Sequence, residues 1–88
     1  MQYFVYVLKS ESDGSLYIGK TNNLTRRLKE HNSGRALSIR RKIPFTLLEY
    51  HECINEKESR ILEKEFKKGY KREMLRKKYK LWRSAGAV

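Results

Sequence analysis

The chain holds one cysteine (Cys53), one proline (Pro44) and two histidines (His31 and His51) in 88 residues. A lone cysteine excludes a disulfide framework within the chain, and the two histidines stand at no metal-ligand spacing, so no structural zinc site is written here. Long apolar runs are missing as well. No stretch approaches the ~18 consecutive apolar residues of a membrane span, and the first residues lack the charged start, apolar run and small-residue cleavage site of a secretory signal. A cytoplasmic location with no membrane partner is the expectation. Acidic residues are scarce, 10 against 21 Lys and Arg, which leaves a formal net charge of +11.

What is present is a small basic domain. Its 39% apolar residues, among them six Tyr, three Phe and one Trp, suffice for a core and argue against disorder. That core is thin, because a chain this short buries only roughly 60–65% of the surface its unfolded state exposes. A surface groove is therefore expected rather than an enclosed cavity. The positive charge implies a polyanionic partner, since it concentrates phosphate backbones near the surface. It is also clustered: nine Lys and Arg against one acid lie between Lys67 and Arg83, and four bases with no acid between Arg35 and Lys42. The bases singled out for phosphate contact are Arg35, Arg40, Arg41 and Lys42 in one stretch. In the other they are Lys67, Lys68, Lys71, Arg72 and Lys78. The plainer alternative is a solvated helix face.

Local patterns divide the chain. Tyr3 to Leu8 is aromatic and β-branched, and Ser12-Asp13-Gly14-Ser15 follows with the Asp-Gly pair of a tight hairpin. Leu16 to Gly19 reads as the returning strand. Thr21-Asn22-Asn23 caps a helix in which Leu24, Arg27, Leu28 and His31 share one stripe, stopped by Asn32-Ser33-Gly34. Residues 35–43 read as basic and irregular, and Pro44 leads into a third strand, Phe45 to Tyr50. Asn55 with Glu58 three residues on opens a helix that turns Ile61, Leu62 and Phe66 inward. Past Gly69, the residues Tyr70, Met74, Leu75, Tyr79 and Trp82 give a last, basic helix one packing side. The expectation is one α+β domain over residues 1–83, a small three-stranded antiparallel sheet flanked by helices, with a small-residue tail at 84–88.

Gly14 to Thr21 fits the letters of the phosphate-loop pattern G-x-x-x-x-G-K-[ST]. The context is wrong, because Leu16-Tyr17-Ile18 is itself strand-like and no apolar strand ending in Asp is present to hold Mg²⁺. The same residues make better sense as two neighbouring strands, each carrying a tyrosine, followed by a glycine and a helix with Arg27 and His31 one turn apart. That arrangement resembles the GIY-YIG nuclease superfamily. Val5-Tyr6 matches the first half of its signature and Tyr17-Ile18-Gly19 the second. The likeness continues through Lys20 to Leu24, Arg26-Arg27-Leu28, Glu30-His31-Asn32, Pro44-Phe45 with Leu48-Glu49-Tyr50, and Glu63 to Gly69. It runs from about Tyr3 to Trp82 and is closest to short bacterial proteins similar to the N-terminal domain of the nucleotide-excision-repair incision subunit. Phe4 stands where the signature has Gly, and no residue takes the position of the late Asn of some members.

The resemblance implies a metal-dependent endonuclease that hydrolyses DNA phosphodiester bonds, in repair or recombination, with one Mg²⁺ or Mn²⁺ ion. It also implies roles for individual residues. Tyr6 is the general base. Arg27 offers a planar fork to two phosphate oxygens. Glu63 holds the metal as a lone carboxylate, water and phosphate completing the shell. Tyr17, His31 and Lys20 orient the base or the water, and Gly19 and Asn32 support the site. Taken singly, each residue has an ordinary role: cross-strand aromatics for Tyr6 and Tyr17, a Glu30 pair for Arg27, a helix-end cap for His31, a Lys67 pair for Glu63. Glu65 is the rival metal ligand. Two other functions compete: a binding module that keeps this fold without cutting, and a subunit that a protein partner targets.

Overall fold

The computed structural model describes residues 2–81 of the chain; Trp82 and the expected tail at 84–88 lie outside the described residues. Strand β1 (Tyr3–Ser10) is followed by β2 (Leu16–Thr21), α1 (Leu24–Asn32), a 3-10 helix (Leu37–Lys42), β3 (Phe45–Cys53), α2 (Glu56–Phe66) and α3 (Gly69–Tyr79). The sheet is antiparallel in the order β2-β1-β3, so β1 is central. The expected α+β architecture with three antiparallel strands is what the chain forms.

Alternation along β1 sends side chains to two separate cores. Val5 and Val7 join Ile18, Cys53, Phe66 and Leu75 on the face covered by α2 and α3. Tyr6 and Leu8 join Phe45 on the other face, where Leu24 and Leu28 of α1 and Ile39 and Ile43 around the 3-10 helix pack against them. The two basic stretches therefore sit on opposite faces of the sheet.

Caps account for the helix starts. Asn23 accepts from the Arg26 amide at 3.0 Å and Asn55 from the Glu58 amide at 2.9 Å, each satisfying an orphan donor of a first turn. Ser10 organises the hairpin. Its hydroxyl accepts from the amides of Ser12 and Asp13 and donates to the Lys42 carbonyl at 2.6 Å. Gly14, at φ +76°, supplies the left-handed residue of this connection. The link is a loop over residues 11–15 rather than a tight two-residue turn, because Ser10 offers its backbone and side chain to the loop at once.

Several expectations are corrected. Residues 37–42 are helical, not irregular. β2 and β3 run beyond Gly19 and Tyr50, to Thr21 and Cys53, since pairing with β1 continues to its first residues. Ile61 is 61% exposed; the inner face of α2 is set instead by Ser59, Leu62 and Phe66. Tyr70 and Met74 are more than half exposed, and α3 packs through Leu75 and Tyr79.

Glu49 pairs with Val7 and so stands on the face that α3 covers, and the bulge that follows lets Leu48 pack on that same face before Leu47 resumes pairing with Leu8. There its carboxylate accepts from Tyr79 Oη at 2.6 Å and Lys78 Nζ at 3.1 Å, and lies 2.5 Å from His51 Nε2. Burial alone would push this carboxyl up, but the bonds from Tyr79, His51 and Lys78 outweigh it and hold its pKa down to about 2. A depressed carboxyl stabilises the fold above its unfolded pKa of 4.5, and the contribution is lost as pH falls through about 2. The shift corresponds to roughly 3 kcal/mol. Glu49→Gln is therefore expected to be destabilised near neutrality and to show a smaller stability change than wild type between about pH 6 and about pH 2, where Asp13, also held down to about 2, keeps its own share. Urea unfolding of both proteins across that range checks this; parallel curves would remove Glu49 from the account.

Candidate active site

Tyr6 of β1 lies directly opposite Gly19 of β2 in the sheet register. A Cβ at Gly19 would stand 2.5 Å from Tyr6 Oη and 2.7 Å from Cζ. The missing side chain is what lets the phenol lie across β2 toward the sheet edge. Tyr6 is 2% exposed, and its hydroxyl meets two residues of α1: Arg27 Nε at 3.3 Å and His31 Nε2 at 3.1 Å. Arg27 and His31 are one turn apart, so the same helical stripe that packs Leu24 and Leu28 delivers both polar groups to one oxygen.

The rest of the aromatic box is built from neighbours. Tyr17 stacks parallel to Tyr6 at 6.4 Å between ring centroids, His31 meets Tyr17 edge-on at 4.5 Å, and Phe45 closes the far side of His31 at 5.6 Å. Asn32 locks the end of α1 onto β3 by donating to the Phe45 carbonyl at 3.2 Å and accepting from its amide at 2.6 Å. This imitates a strand pairing with a side chain. Asn32 thereby fixes His31, its neighbour in sequence.

Electrostatics follow from burial. The Tyr6 phenol is pushed up from its ordinary value chiefly by burial, against the hydrogen bond and charge of Arg27, and the negative charge of Glu63 adds to the rise. Tyr17 raises it more than Glu63 of α2, whose charge is the smallest of these influences. Burial, reinforced by Arg27, pushes the His31 imidazole down, so it is neutral near pH 7. An Arg guanidinium only donates, so Tyr6 Oη accepts from Arg27 and its own proton is available to His31 Nε2. His31 Nδ1 is buried and has no hydrogen-bond partner. The Arg27 pKa is raised further, first by its bond to Tyr6, and its Nη1 pairs with Glu30 at 3.1 Å.

Tyr6, Tyr17, Gly19, Arg27 and His31 converge on one place, with Glu63 in electrostatic reach. Lys20 does not join them. Its strand partner is Val5, which places it on the α2 side, paired with Glu56 at 3.7 Å. Glu63 is 18% exposed and pairs with Lys67 at 3.5 Å. Glu65 is engaged elsewhere, by Lys68 at 3.0 Å and by the Tyr70 hydroxyl. Most of the expected phosphate-contacting bases have partners too: Lys78 with Glu49, Lys42 with Asp13 at 3.6 Å, Arg40 with the Gly34 carbonyl, and Lys71 over the Phe66 ring. Among the described residues no hydrogen bond or ion pair engages the Arg41 or Arg72 side chains, and Arg35 contributes only its backbone amide, to Ser33 Oγ. Sequence reasoning did not single out Lys29, which stands beside the site on a polar stripe of α1. The signal was there: Arg26, Lys29, Glu30 and Ser33 fall at i, i+3, i+4 and i+7.

One carboxylate suits a hard divalent cation of the Mg²⁺ type, which takes few protein ligands and keeps water and phosphate oxygens around it. Among the described residues no group of three or more His, Cys, Asp or Glu could form a protein cage. The donor set therefore fits the lone-carboxylate arrangement and not a dedicated one.

A buried tyrosine laid over a strand glycine, with an arginine and a histidine from the following helix, defines the GIY-YIG class of domain. The profile of the GIY-YIG catalytic domain matches residues 2–80, and the chain belongs to this family, an endonuclease superfamily. Its relatives are UPF0213 proteins. The protein of Bacillus pumilus is 49% identical over 58% of this chain and 51% of its own length. That of Haloquadratum walsbyi is 32% identical over 81% of this chain and 79% of its own. The solution NMR structure of the Bacillus halodurans protein superimposes with a TM-score of 0.54 at 36% identity, covering 85% of this chain and 82% of that one. The chain spans about half the length of the first curated relatives it matches. Among the described residues, no helix is long and apolar enough to cross a membrane.

Gly19→Ala is expected to displace the Tyr6 ring and cost about 1–3 kcal/mol, as overpacking does. Removing the crowded oxygen with Tyr6→Phe in the same chain should recover part of that loss. Thermal unfolding of the two single variants and the double variant reads this directly. Additive losses would mean that the ring does not depend on Gly19.

Proposed function

We propose that the chain is a metal-dependent endonuclease that hydrolyses the phosphodiester bonds of DNA and acts in repair or recombination. The observation that carries this is the double engagement of the buried Tyr6 Oη by Arg27 and His31. Two residues of one helix, a permanent cation and an imidazole, meet a single buried phenol oxygen, and in the Nδ1–H tautomer the imidazole accepts the phenol's proton.

Arg27 binds the scissile phosphate with its remaining N–H groups and stabilises the charge that grows on its oxygens in the transition state. Tyr6 Oη takes a proton from the attacking water while its own proton passes to His31 Nε2. This relay avoids a free phenolate, which burial disfavours. Glu63 would hold the divalent ion, Mg²⁺ or Mn²⁺, which when bound supplies Lewis-acid stabilisation at the phosphate. Tyr17 and Phe45 hold the imidazole upright, and Asn32 fixes the end of its helix. Since imidazolium cannot accept the relay proton, activity falls at a pH below the lowered His31 pKa and rises above it.

The test uses labelled DNA structures with Mg²⁺ or Mn²⁺, EDTA as control, and binding measured in parallel. Glu63→Gln is expected to lose cleavage by orders of magnitude while affinity stays level or rises slightly, a negative charge having left the site. Tyr6→Phe should lose roughly 10²–10⁴-fold in rate, the range for removal of a general base. Arg27→Ala should lose both rate and affinity. Equal cleavage by wild type and Glu63→Gln would overturn the metal assignment and pass it to Glu65. Binding by all three variants with no cleavage by wild type would make the chain a binding module.

A further inference from the structure

An open groove of about 740 Å³ runs from the aromatic box along α1 to the 3-10 helix. Tyr17, Arg27 and His31 line its inner end, so it begins at the proposed catalytic cluster. Its outer part has a different character. Lys29 and Arg35 line it, both exposed and neither with an ion pair among the described residues, whereas Arg26 and Arg27 are paired with Glu30. Ile39 adds an apolar wall. Ser38 adds a hydroxyl, and Tyr17 presents a hydroxyl of its own; neither has a hydrogen-bond partner among the described residues.

We propose that this groove is a nucleotide subsite that seats one nucleotide of the cleaved strand next to the scissile phosphate, with Lys29 and Arg35 on that nucleotide's far phosphate. The proposal rests on the nuclease reading and deepens it. Three features favour a nucleotide over a bare anion. The volume lies within the roughly 300–1,000 Å³ of clefts that hold small ligands, far more than a phosphate fills. The lining joins the Lys29 and Arg35 cations and the apolar surface of Tyr17 and Ile39 to Arg27 of the proposed catalytic cluster, the mix of charge and apolar surface that a nucleoside with a phosphate on each side requires. The free Ser38 and Tyr17 hydroxyls give polar edges to a base at positions where they would otherwise face only water. The basic surface from Lys67 to Lys78 lies on the other face of the sheet, away from the tyrosine cluster, and Lys67, Lys68 and Lys78 there are already paired.

The experiment titrates thymidine 3′,5′-bisphosphate, one nucleoside with a phosphate on each side, into the isotope-labelled protein and follows backbone amides by NMR without divalent metal. Shifts are expected at Tyr17, in α1 and at residues 33–39. In Lys29→Ala/Arg35→Ala binding should weaken about tenfold, in line with two exposed charge contacts. For a single-stranded oligonucleotide, the same double variant should flatten the dependence of log affinity on log salt by about 0.7 per lost contact. Shifts confined to α3, or a double variant that binds as tightly as wild type, would overturn the subsite. So would inorganic pyrophosphate binding as tightly with the same shifts, because no base is then being seated. Cleavage that survives while groove binding fails removes the subsite alone; groove binding that survives without any cleavage removes the nuclease reading alone.

Discussion

The close approach of the Tyr6 ring to the bare backbone of Gly19 is the constraint from which the site follows. A strand normally stands its side chains up from the sheet. Across Gly19 the ring can lie down instead, and its oxygen reaches the strand edge. There two elements meet it: β2 beneath the ring, and α1 with Arg27 and His31 on its oxygen. With any side chain at position 19 the ring stands elsewhere and these groups have nothing in common.

Position and protonation are coupled in this arrangement. Burial raises the phenol and lowers the imidazole, so at neutral pH both are uncharged, and the guanidinium is the fixed positive group between them and solvent. A neutral pair that can pass a proton costs far less to bury than an ion pair would. The arginine can stay charged because Glu30 and the solvent side of α1 share its hydrogen bonds.

The sheet, the helix starts and the tyrosine-glycine motif were all legible because each rests on local signals: alternating apolar residues, Asn caps at Asn23 and Asn55, and spacing within a hairpin. What was not legible depends on which face meets which. Ile61 looked like core by hydropathy, but Ser59, at 0% exposure and bonded to the Glu56 carbonyl, occupies the inner position. A small polar residue that lets a helix approach a sheet closely leaves no trace in a hydropathy pattern. Tyr70 and Met74 form their own stripe one step around α3 from Leu75 and Tyr79, and spacing alone does not rank two stripes. Lys20 follows Gly19 in the chain, yet the pleat sends it to the opposite side. Strand alternation could have shown that, since Lys20 differs from Gly19 by one residue and Tyr6 shares a face with Gly19.

The division of β1 between two cores has a consequence for how such a sequence varies over time. Val5 and Val7 answer to α2 and α3, Tyr6 and Leu8 to α1, and few side chains serve both layers. Apart from Leu75 and the Tyr79 and Lys78 contacts to Glu49, the α3 layer can thus trade residues under pressure for solubility, charge or a new binding face while the layer that holds the tyrosine keeps its own packing. Glu63 is the exception, since α2 carries it while the tyrosine it is proposed to serve belongs to the α1 layer. Divergence on that side has to preserve the seat of a single helix, α2, and can spend its freedom on the other.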